Sequence, residues 1–431
     1  MRFRFVNIRC IFAALLMCGT ASAHAQLRLP SLQLPGQLGP LGLDGLRRTA
    51  EPLLDRTPLP ELAGLRLDTV RQLLRTHPDV LEADPRGEPA LRGEVVAFAP
   101  SDAALQAARD AGAAIVRDDA LPGLGERIVV LRLPAGTSTA ALVERLRALD
   151  PDGGYDFNHV YTGSGAAGDT VGRVHAGDAA TIRIGLVDSG VDGAHAVFDD
   201  ATITRWGCGG RAVPAPHGTA VAALMVGRSD HQRGAAPGAA LYAADVYCGS
   251  PAGGAADRIA AALGWLDQQD VGVVNISLVG PPNALLARTV AAMQARGHVL
   301  VAAVGNDGPA APPLYPASYP GVVGVTGVDR RGRPLPEAAR GPQVTFAAPG
   351  SQMASAAPGT PPYRQVRGTS FAAPIAAALL AQRLPRPDRV AAGRAVEALA
   401  RAAGGGQAVR NDETGYGIVG ADVRTDPSSL R

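Results

Sequence analysis

Five near-continuous apolar segments in the second half of the chain predict a parallel β-sheet. The strands of such a sheet are covered on both faces, so apolar and polar residues do not alternate along them. Amphipathic stretches between the segments, such as ADRIAAALGWLDQQ and ALLARTVAAMQARG, predict helices that pack on the sheet. The five segments are TIRIGLVDSG, AALYAADVYC, VGVVNISL, HVLVAAVGN and GVVGVTGV. We therefore expect residues 166–431 to form an α/β domain with a mostly parallel sheet flanked by helices.

A shorter alternation of strands and helices occupies residues 91–165. EVVAFAP and RIVVLRLP predict strands, whereas SDAALQAARDAGAAI, capped by Ser101, and TSTAALVERLRAL predict helices. This order predicts a small α+β domain of ferredoxin-like type, which ends in the extended segment YDFNHVY. Residues 26–90 before it are rich in Leu and Pro and predict a linker with one helix, Leu65 to Arg75. The Gly- and Ser-rich segment from Thr162 predicts an exposed connection that a protease could cut.

The first 25 residues have the pattern of a secretory signal peptide. Arginines precede an apolar segment, which ends in small residues before a predicted cleavage near Ala23 or Ala25. An uncleaved membrane anchor is one alternative, but the segment is short for a span of about 20 residues. Lipidation of Cys18 is another, which the bulky Met17 before it disfavours. We expect export to the periplasm or out of the cell, with no stable membrane anchor after cleavage.

Composition restricts the chemistry further. The formal net charge of +2 over 431 residues gives no reason to expect a nucleic acid or an anionic membrane as a partner. The chain contains no lysine, which excludes Schiff-base chemistry, a serine–lysine dyad and a P-loop lysine. Removal of the signal peptide would leave two cysteines, Cys208 and Cys248. In an oxidising compartment we expect them to pair, with two buried thiols as the alternative.

Polar residues stand where the predicted strands end or the helices begin. Asp188 ends the first strand of the large sheet, and Gly305-Asn306 follows a later one. His217 opens the helix HGTAVAALMVG, and Ser370 opens the apolar run SFAAPIAAALLA. Each of these alone could be an ordinary turn or cap residue. Because sites in open parallel sheets gather at the carboxyl ends of the strands, we expect the four side chains to converge.

The order Asp188, His217, Ser370 is the order of the triad in subtilisin. With the motifs VDSG, HGTAVA, VVNISL, AVGN and GTSFAAP, the segment Arg183–Ala421 resembles the subtilisin-like serine proteases. The resemblance implies that Ser370 attacks a peptide carbonyl, that His217 is the general base and then the acid, and that Asp188 orients the imidazole. It also implies that Asn306 and the backbone N–H of Ser370 stabilise the oxyanion.

By the same resemblance, an extended peptide or protein substrate pairs with the strand at Ser277-Leu278, beside Gly305. This chain has Val279 where the family usually has glycine. Since that position lines the pocket for the residue before the cut, we expect a narrow pocket that favours small residues such as Ala. The connection GRSDHQRGAAPG is too short for the family's common calcium loop. We expect neither a metal nor another cofactor.

The small domain before Thr162 resembles the inhibitory propeptides of this family. We expect its tail, YDFNHVY, to lie in the cleft as a product-like strand, and self-cleavage between Tyr161 and Arg173 to release a monomeric protease. A catalytically silent relative that binds proteins is the alternative, although all four catalytic residues are present. The G-x-S-x-G motif of esterases and the H-E-x-x-H motif of metallopeptidases do not occur in the sequence.

Overall fold

The computed structural model describes residues 65–121, 124, 126–163, 182–404 and 409–430. Its helices in chain order are α1 Leu65–Thr76, α2 Asp102–Asp110, α3 Thr139–Leu149, α4 Pro216–Val226, α5 Ala256–Gln268, α6 Ala284–Ala295, α7 Thr369–Ala381 and α8 Arg389–Ala403. Its strands are β1 Leu81–Ala83, β2 Pro89–Phe98, β3 Ala114–Leu121, β4 Glu126–Arg132, β5 Gly154–Gly163, β6 Arg183–Asp188, β7 Ile203–Trp206, β8 Ala240–Asp245, β9 Gly254–Ala255, β10 Val273–Ile276, β11 Leu278–Val279, β12 Val299–Ala303, β13 Val323–Val328, β14 Val344–Pro349, β15 Met353–Ala356 and β16 Tyr363–Val366.

The large sheet has seven strands in the order β14-β13-β12-β10-β6-β8-β7. Every neighbouring pair in it is parallel, which confirms the predicted fold class. Helices α4 and α7 pack on one face, and both are buried on nearly all sides. Helices α5 and α6 cover the other face. The carboxyl ends of β6, β10 and β12 therefore meet at one edge, between two helical layers.

The small domain is built from β2, α2, β3, β4, α3 and β5 in that order. Its antiparallel sheet runs β5-β2-β4-β3, with β1 added at β2. This is the predicted ferredoxin-like arrangement. Two boundaries are wrong. The predicted first helix ran through Ile115, whereas α2 ends at Asp110 and Ile115 lies in β3. Gly112 has φ of +83°, a conformation that suits glycine, and it ends the helix. Strand β1 and the first residues of β2 lie within residues 26–90, where a linker with one helix was predicted.

Strand β5 belongs to both domains. Its first half pairs with β2 inside the small domain, and its last four residues pair with β9 and β11 of the large one. The segment YDFNHVY was expected to lie in the cleft, but Tyr155–Phe157 pairs with β2, and Val160–Gly163 is the part that pairs with strands of the other domain. The pattern of the segment could not reveal this division, because both halves are equally extended and buried.

The disulfide expected between Cys208 and Cys248 is present, with Cα atoms 5.1 Å apart. Together with Asp245 these cysteines form the one cluster of possible metal ligands among the residues described. Since both sulfurs are used in the disulfide, this cluster is not a metal site. In the part of the chain that the structure covers, no helix has the length and apolarity to cross a membrane. The predicted signal peptide and the connection after Gly163 lie outside the described residues.

Candidate active site

Asp188 and His217 form a buried pair. Asp188 is the last residue of β6, and His217 is the second residue of α4. The Nδ1 of His217 lies 2.8 Å from one carboxylate oxygen of Asp188 and 3.0 Å from the other. Asp188 is fully buried and His217 is 6% exposed. Because the ring nitrogen that faces a carboxylate carries a proton, Nε2 is the nitrogen that can accept one.

The start of α4 is fixed by the loop that follows Asp188. Pro216 occupies the first turn, where its missing N–H costs no helical hydrogen bond. The Oγ of Ser189 accepts a hydrogen bond from the N–H of Gly218 at 3.0 Å. Ser189 therefore caps the helix in place of Ala215, the N-cap residue, whose side chain makes no capping hydrogen bond. A Cβ atom on Gly218 would come within 2.1 Å of the carbonyl oxygen of Ser189. Glycine at this position therefore lets the imidazole approach Asp188.

Ser370 is the second residue of α7, after a glycine with φ of +132°. Its Oγ donates to the carbonyl oxygen of Ser277 at 3.1 Å. Pro374 has no N–H and leaves the carbonyl of Ser370 without its usual helical partner. The Oγ of Ser277 donates to that carbonyl at 2.9 Å instead. Ser277 thus contacts both the hydroxyl and the backbone carbonyl of Ser370, a role that its position in the sequence did not indicate.

Asn306 stands beside the start of α7, after β12. Its Oδ1 accepts from the N–H of Thr369 at 3.0 Å, and the Oγ1 of Thr369 accepts from the N–H of Gly305 at 3.2 Å. The first bond fixes the orientation of the amide and makes Nδ2 the donor end. The ring of His217 lies 5.4 Å from that of Phe371, the neighbour of Ser370. Asn306 and His217 therefore each contact a residue adjacent to Ser370 in the sequence.

The cleft next to these residues contains strand β5. Thr162 and Gly163 pair antiparallel with Val279 and Leu278, in register. The Cβ position of Gly163 is 3.2 Å from Nε2 of His217. On the other side of β5, Tyr161 pairs with Gly254. A segment of the chain itself thus lies across the candidate active site as the middle strand of three.

A family model described as the subtilase family matches residues 179–417, more than half of the chain. The chain belongs to the subtilase family. Subtilisin BL of Lederbergia lenta is 34% identical over 175 residues, 39% of this chain and 64% of that protein. Subtilisin DY of Bacillus licheniformis is 29% identical over 221 residues, 48% of this chain and 78% of that protein.

Among solved structures, fervidolysin of Fervidobacterium pennivorans, a keratinolytic enzyme related to subtilisin, matches with a TM-score of 0.62. The match covers 78% of this chain and 61% of fervidolysin at 20% identity, and it concerns the fold. This subtilase therefore spans less than two thirds of subtilisin BL and of fervidolysin.

Tyr161 fills a pocket of the subtilase domain. Its side chain is fully buried, and its hydroxyl donates to the carbonyl oxygen of Pro281 at 2.6 Å. A Cβ atom on Gly280 would come within 2.5 Å of the ring, so glycine makes room for it. Burial raises the pKa of the Tyr161 hydroxyl well above its ordinary value, which keeps it a neutral donor.

Asn283 joins the two domains of this subtilase at the start of α6. It is 2% exposed, and its Oδ1 caps the helix by accepting from Leu286 N–H at 3.2 Å. Its Nδ2 donates to the carbonyl of Phe157 at 2.9 Å and to Nδ1 of His159 at 3.0 Å. His159 therefore carries its proton on Nε2, which faces Asp84 at 3.2 Å. Burial by itself would raise the pKa of Asp84. Hydrogen bonds to its carboxylate, of which the bond with His159 has the largest effect, hold the pKa below its ordinary value.

Two more strand residues reach helix starts. The carboxylate of Asp156 accepts from the N–H of Ala284 at 2.9 Å, at the first residue of α6. The Oδ1 of Asn158 accepts from the N–H of Asp257 at 3.3 Å, in the first turn of α5. A carboxylate near the positive end of a helix is favourable. Alternate residues of β5 thus satisfy helix ends that the subtilase domain leaves open.

Arg367 and Glu337 form a buried ion pair that the sequence did not disclose. Two nitrogens of Arg367 donate to the two carboxylate oxygens of Glu337 at 2.7 and 2.9 Å, and both side chains are under 10% exposed. Arg367 precedes the Gly-Thr-Ser turn, and the carbonyl of Glu337 accepts from Gly308 N–H at 2.8 Å. The pair therefore ties the Ser370 turn to the loop that carries Asn306.

Asp245 lies beside Asp188, at the end of the neighbouring strand. Its Oδ1 accepts from the N–H groups of Tyr247 and Cys248, each at 2.9 Å. Burial raises the pKa of Asp245, those two bonds oppose the rise, and the charge of Asp188 adds to it. Asp245 thus anchors the end of the loop that the disulfide fastens.

Proposed function

We propose that this subtilase is a serine endopeptidase, made as a zymogen that processes itself. Asp188, His217 and Ser370 are the triad, and Asn306 is the oxyanion donor. The observation that carries the proposal is strand β5, whose last residues pair with Leu278-Val279 and end against the imidazole. A peptide in that position presents its backbone to the nucleophile as an added strand.

The chemistry follows from the buried pair. The Oγ of Ser370 forms a bond to the carbonyl carbon as its proton passes to Nε2 of His217, while Asp188 stabilises the imidazolium. The Nδ2 of Asn306 and the backbone N–H of Ser370 donate to the oxyanion. The C–N bond then breaks, and His217 gives the proton to the leaving amine. Water hydrolyses the acyl-enzyme by the same steps in reverse. The bond from Ser370 Oγ to Ser277 must give way first, as is common in resting active sites.

The register of β5 supports a specific cut. Gly163 pairs with Leu278, and the carbonyl oxygen of Ser277, the residue before Leu278, accepts a hydrogen bond from the nucleophile. The residue that follows Gly163 in the sequence is Ser164. We place the cut after Ser164, inside the range expected from the sequence. The small side chain of Ser164 agrees with a pocket narrowed by Val279, which is buried opposite Thr162. Peptides with Ala or Ser before the cut should then be cleaved faster than those with Phe or Leu.

Export is part of the proposal. The disulfide between Cys208 and Cys248 supports an oxidising compartment, since such bonds are rare in the cytosol. The signal-peptide pattern of residues 1–25 supports the same destination.

The test compares wild-type protein with Ser370→Ala and with Ser428→Ala, an exposed serine far along the chain. Wild type and Ser428→Ala should each yield a mature band that begins at Gly165 by mass spectrometry, and a serine-directed fluorophosphonate should label it. Ser370→Ala should remain full-length apart from signal cleavage, and unlabelled. Processing and labelling of Ser370→Ala would contradict the proposal. So would a wild type that shows neither.

A further inference from the structure

A cavity of about 410 Å³ lies next to Asp188, at the carboxyl ends of β7 and β8. Its wall contains Ser189 and Gly190, which follow Asp188 in the chain, and residues 207–213, which include one cysteine of the disulfide. Among the described residues that line the cavity, none belongs to β5 or to the strands β9 and β11 that pair with it. The cavity is therefore distinct from the part of the cleft that holds β5, and it has the size of a small-molecule site.

Three arginines line this cavity. Arg205 extends from β7, Arg211 lies within residues 207–213, and Arg258 is in the first turn of α5. In the part of the chain that the structure describes, none of the three guanidinium groups forms an ion pair, and the buried Nε–H of Arg205 has no acceptor. Burial lowers the pKa of Arg205, and the negative charge of Asp192 offsets this only in part. The charge of Arg205 is therefore incompletely compensated.

Asp245 is the fourth charged residue in the lining. Its Oδ2 is buried and has no hydrogen-bond partner among the residues described. Burial raises the pKa of Asp245 and so disfavours its negative charge, although the N–H groups of Cys248 and Tyr247 oppose the rise. When protonated, a carboxyl group is a hydrogen-bond donor. The lining thus has an excess of positive charge, with three arginines against one acidic residue.

Such a lining favours a negatively charged ligand. A buried N–H without an acceptor is costly, and a carboxylate or phosphate oxygen would supply the acceptor that Arg205 lacks. Guanidinium groups bind these oxyanions through paired N–H donors. Because the three arginines come from three separate segments of the chain, a ligand with more than one charged group matches them best.

We propose that this cavity binds a small organic polyanion with two or three carboxylate or phosphate groups. Arg205 contacts the ligand inside the cavity, and the exposed Arg211 and Arg258 contact it at the rim. The bound polyanion would hold β7, residues 207–213 and α5 together beside the candidate triad. The inference does not depend on the proposed peptidase function, because none of the three arginines belongs to the catalytic machinery.

The test measures ligand binding by isothermal titration calorimetry, with the full chain carrying Ser370→Ala, at pH 7 and constant ionic strength. The probes are citrate, 3-phosphoglycerate, inorganic phosphate and acetate. Citrate or 3-phosphoglycerate should bind with a stoichiometry of one and at least tenfold more tightly than acetate, because each further charged hydrogen bond contributes about a factor of ten. The tighter of the two organic ligands shows whether carboxylate or phosphate groups fit the site, and either result supports it.

Arg205→Gln should weaken the binding of the tighter organic ligand at least tenfold. Arg211→Gln and Arg258→Gln should each weaken it about two- to fivefold, because their side chains are exposed. The matched control is Arg228→Gln, since Arg228 is an exposed arginine of the same domain that does not line the cavity. Its affinity should equal that of the parent. If circular dichroism shows that Arg205→Gln does not fold, the double variant of Arg211 and Arg258 decides, with an expected loss of about tenfold.

The absence of saturable binding of both organic polyanions would overturn the inference. So would acetate or inorganic phosphate that binds as tightly as they do, or a folded Arg205→Gln variant that keeps the parental affinity. An equal loss of affinity in Arg228→Gln and Arg205→Gln would reveal attraction by net charge alone and would also overturn it. Because Ser370→Ala lacks the nucleophile, failure in this test leaves the peptidase proposal unaffected.

Discussion

The substitution Asn283→Asp separates the two tasks of one side chain. Aspartate caps a helix about as well as asparagine, so the bond from Leu286 N–H should remain. Aspartate cannot donate, so the carbonyl of Phe157 and Nδ1 of His159 lose the amide that serves them. Both of these acceptors are buried. The change therefore weakens the contact between β5 and the subtilase domain while sparing α6.

The magnitude follows from those two contacts. Each buried acceptor left without a donor costs about 1–3 kcal/mol, so Asn283→Asp should weaken the packing of β5 by about 2–6 kcal/mol. Asn283→Ala should cost about 1 kcal/mol more, because it also removes the cap. With about 1.4 kcal/mol for each factor of ten, the opening of β5 should become at least tenfold more frequent.

Hydrogen–deuterium exchange of the uncleaved chain, in a Ser370→Ala background, measures that opening. Amides of Gly154–Gly163 should exchange at least tenfold faster in Asn283→Asp than in the parent at pH 8. Those of β13, Val323–Val328, lie in the large sheet away from the contact and should not change. Unaltered protection of β5 in Asn283→Asp, with loss in Asn283→Ala, would show that capping alone matters and would refute the reasoning.

Three further predictions concern the candidate site and its support. Asn306→Ala should lower kcat about 10²–10³-fold with little change in KM, a factor measured for the corresponding donor in subtilisin, and a loss confined to KM would contradict its role. Asp245→Asn should have a larger free energy of unfolding than the parent, and the difference should grow from pH 4 to pH 8. A carboxyl whose pKa is raised by folding stabilises the fold below its unfolded pKa of about 4, and this contribution is lost as the pH rises through the folded pKa. Urea midpoints that differ equally at both pH values would contradict this assignment. Replacing Cys208 and Cys248 together by Ala should cost about 4 kcal/mol, from the loss of a cross-link between residues 40 apart. Denaturation with and without a reductant checks this, because the reductant should affect the parent and leave the double variant unchanged.

Several features of the fold could be predicted because they are local. The parallel strands can be recognised in the sequence as unbroken apolar runs, since they are buried on both faces. Asp188 and Asn306 could be assigned to strand ends for the same reason, and His217 and Ser370 to helix starts. The end of α2 was misplaced because alanines on both sides of Gly112 have the same apolar character in a helix and in a strand.

The sequence by itself determined the order of elements, the chemical identity of the four candidate catalytic residues and the pair of cysteines. Each of these depends on neighbouring residues in the chain. Three contacts were decided by the tertiary structure alone. Ser277 forms a hydrogen bond with Ser370, Arg367 forms an ion pair with Glu337, and Arg66 forms an ion pair with Asp307, which is 241 positions away in the chain. The physical reason is that hydrogen bonds and ion pairs act over a few ångströms in space. No periodicity in the sequence encodes which distant polar groups folding will bring within that range.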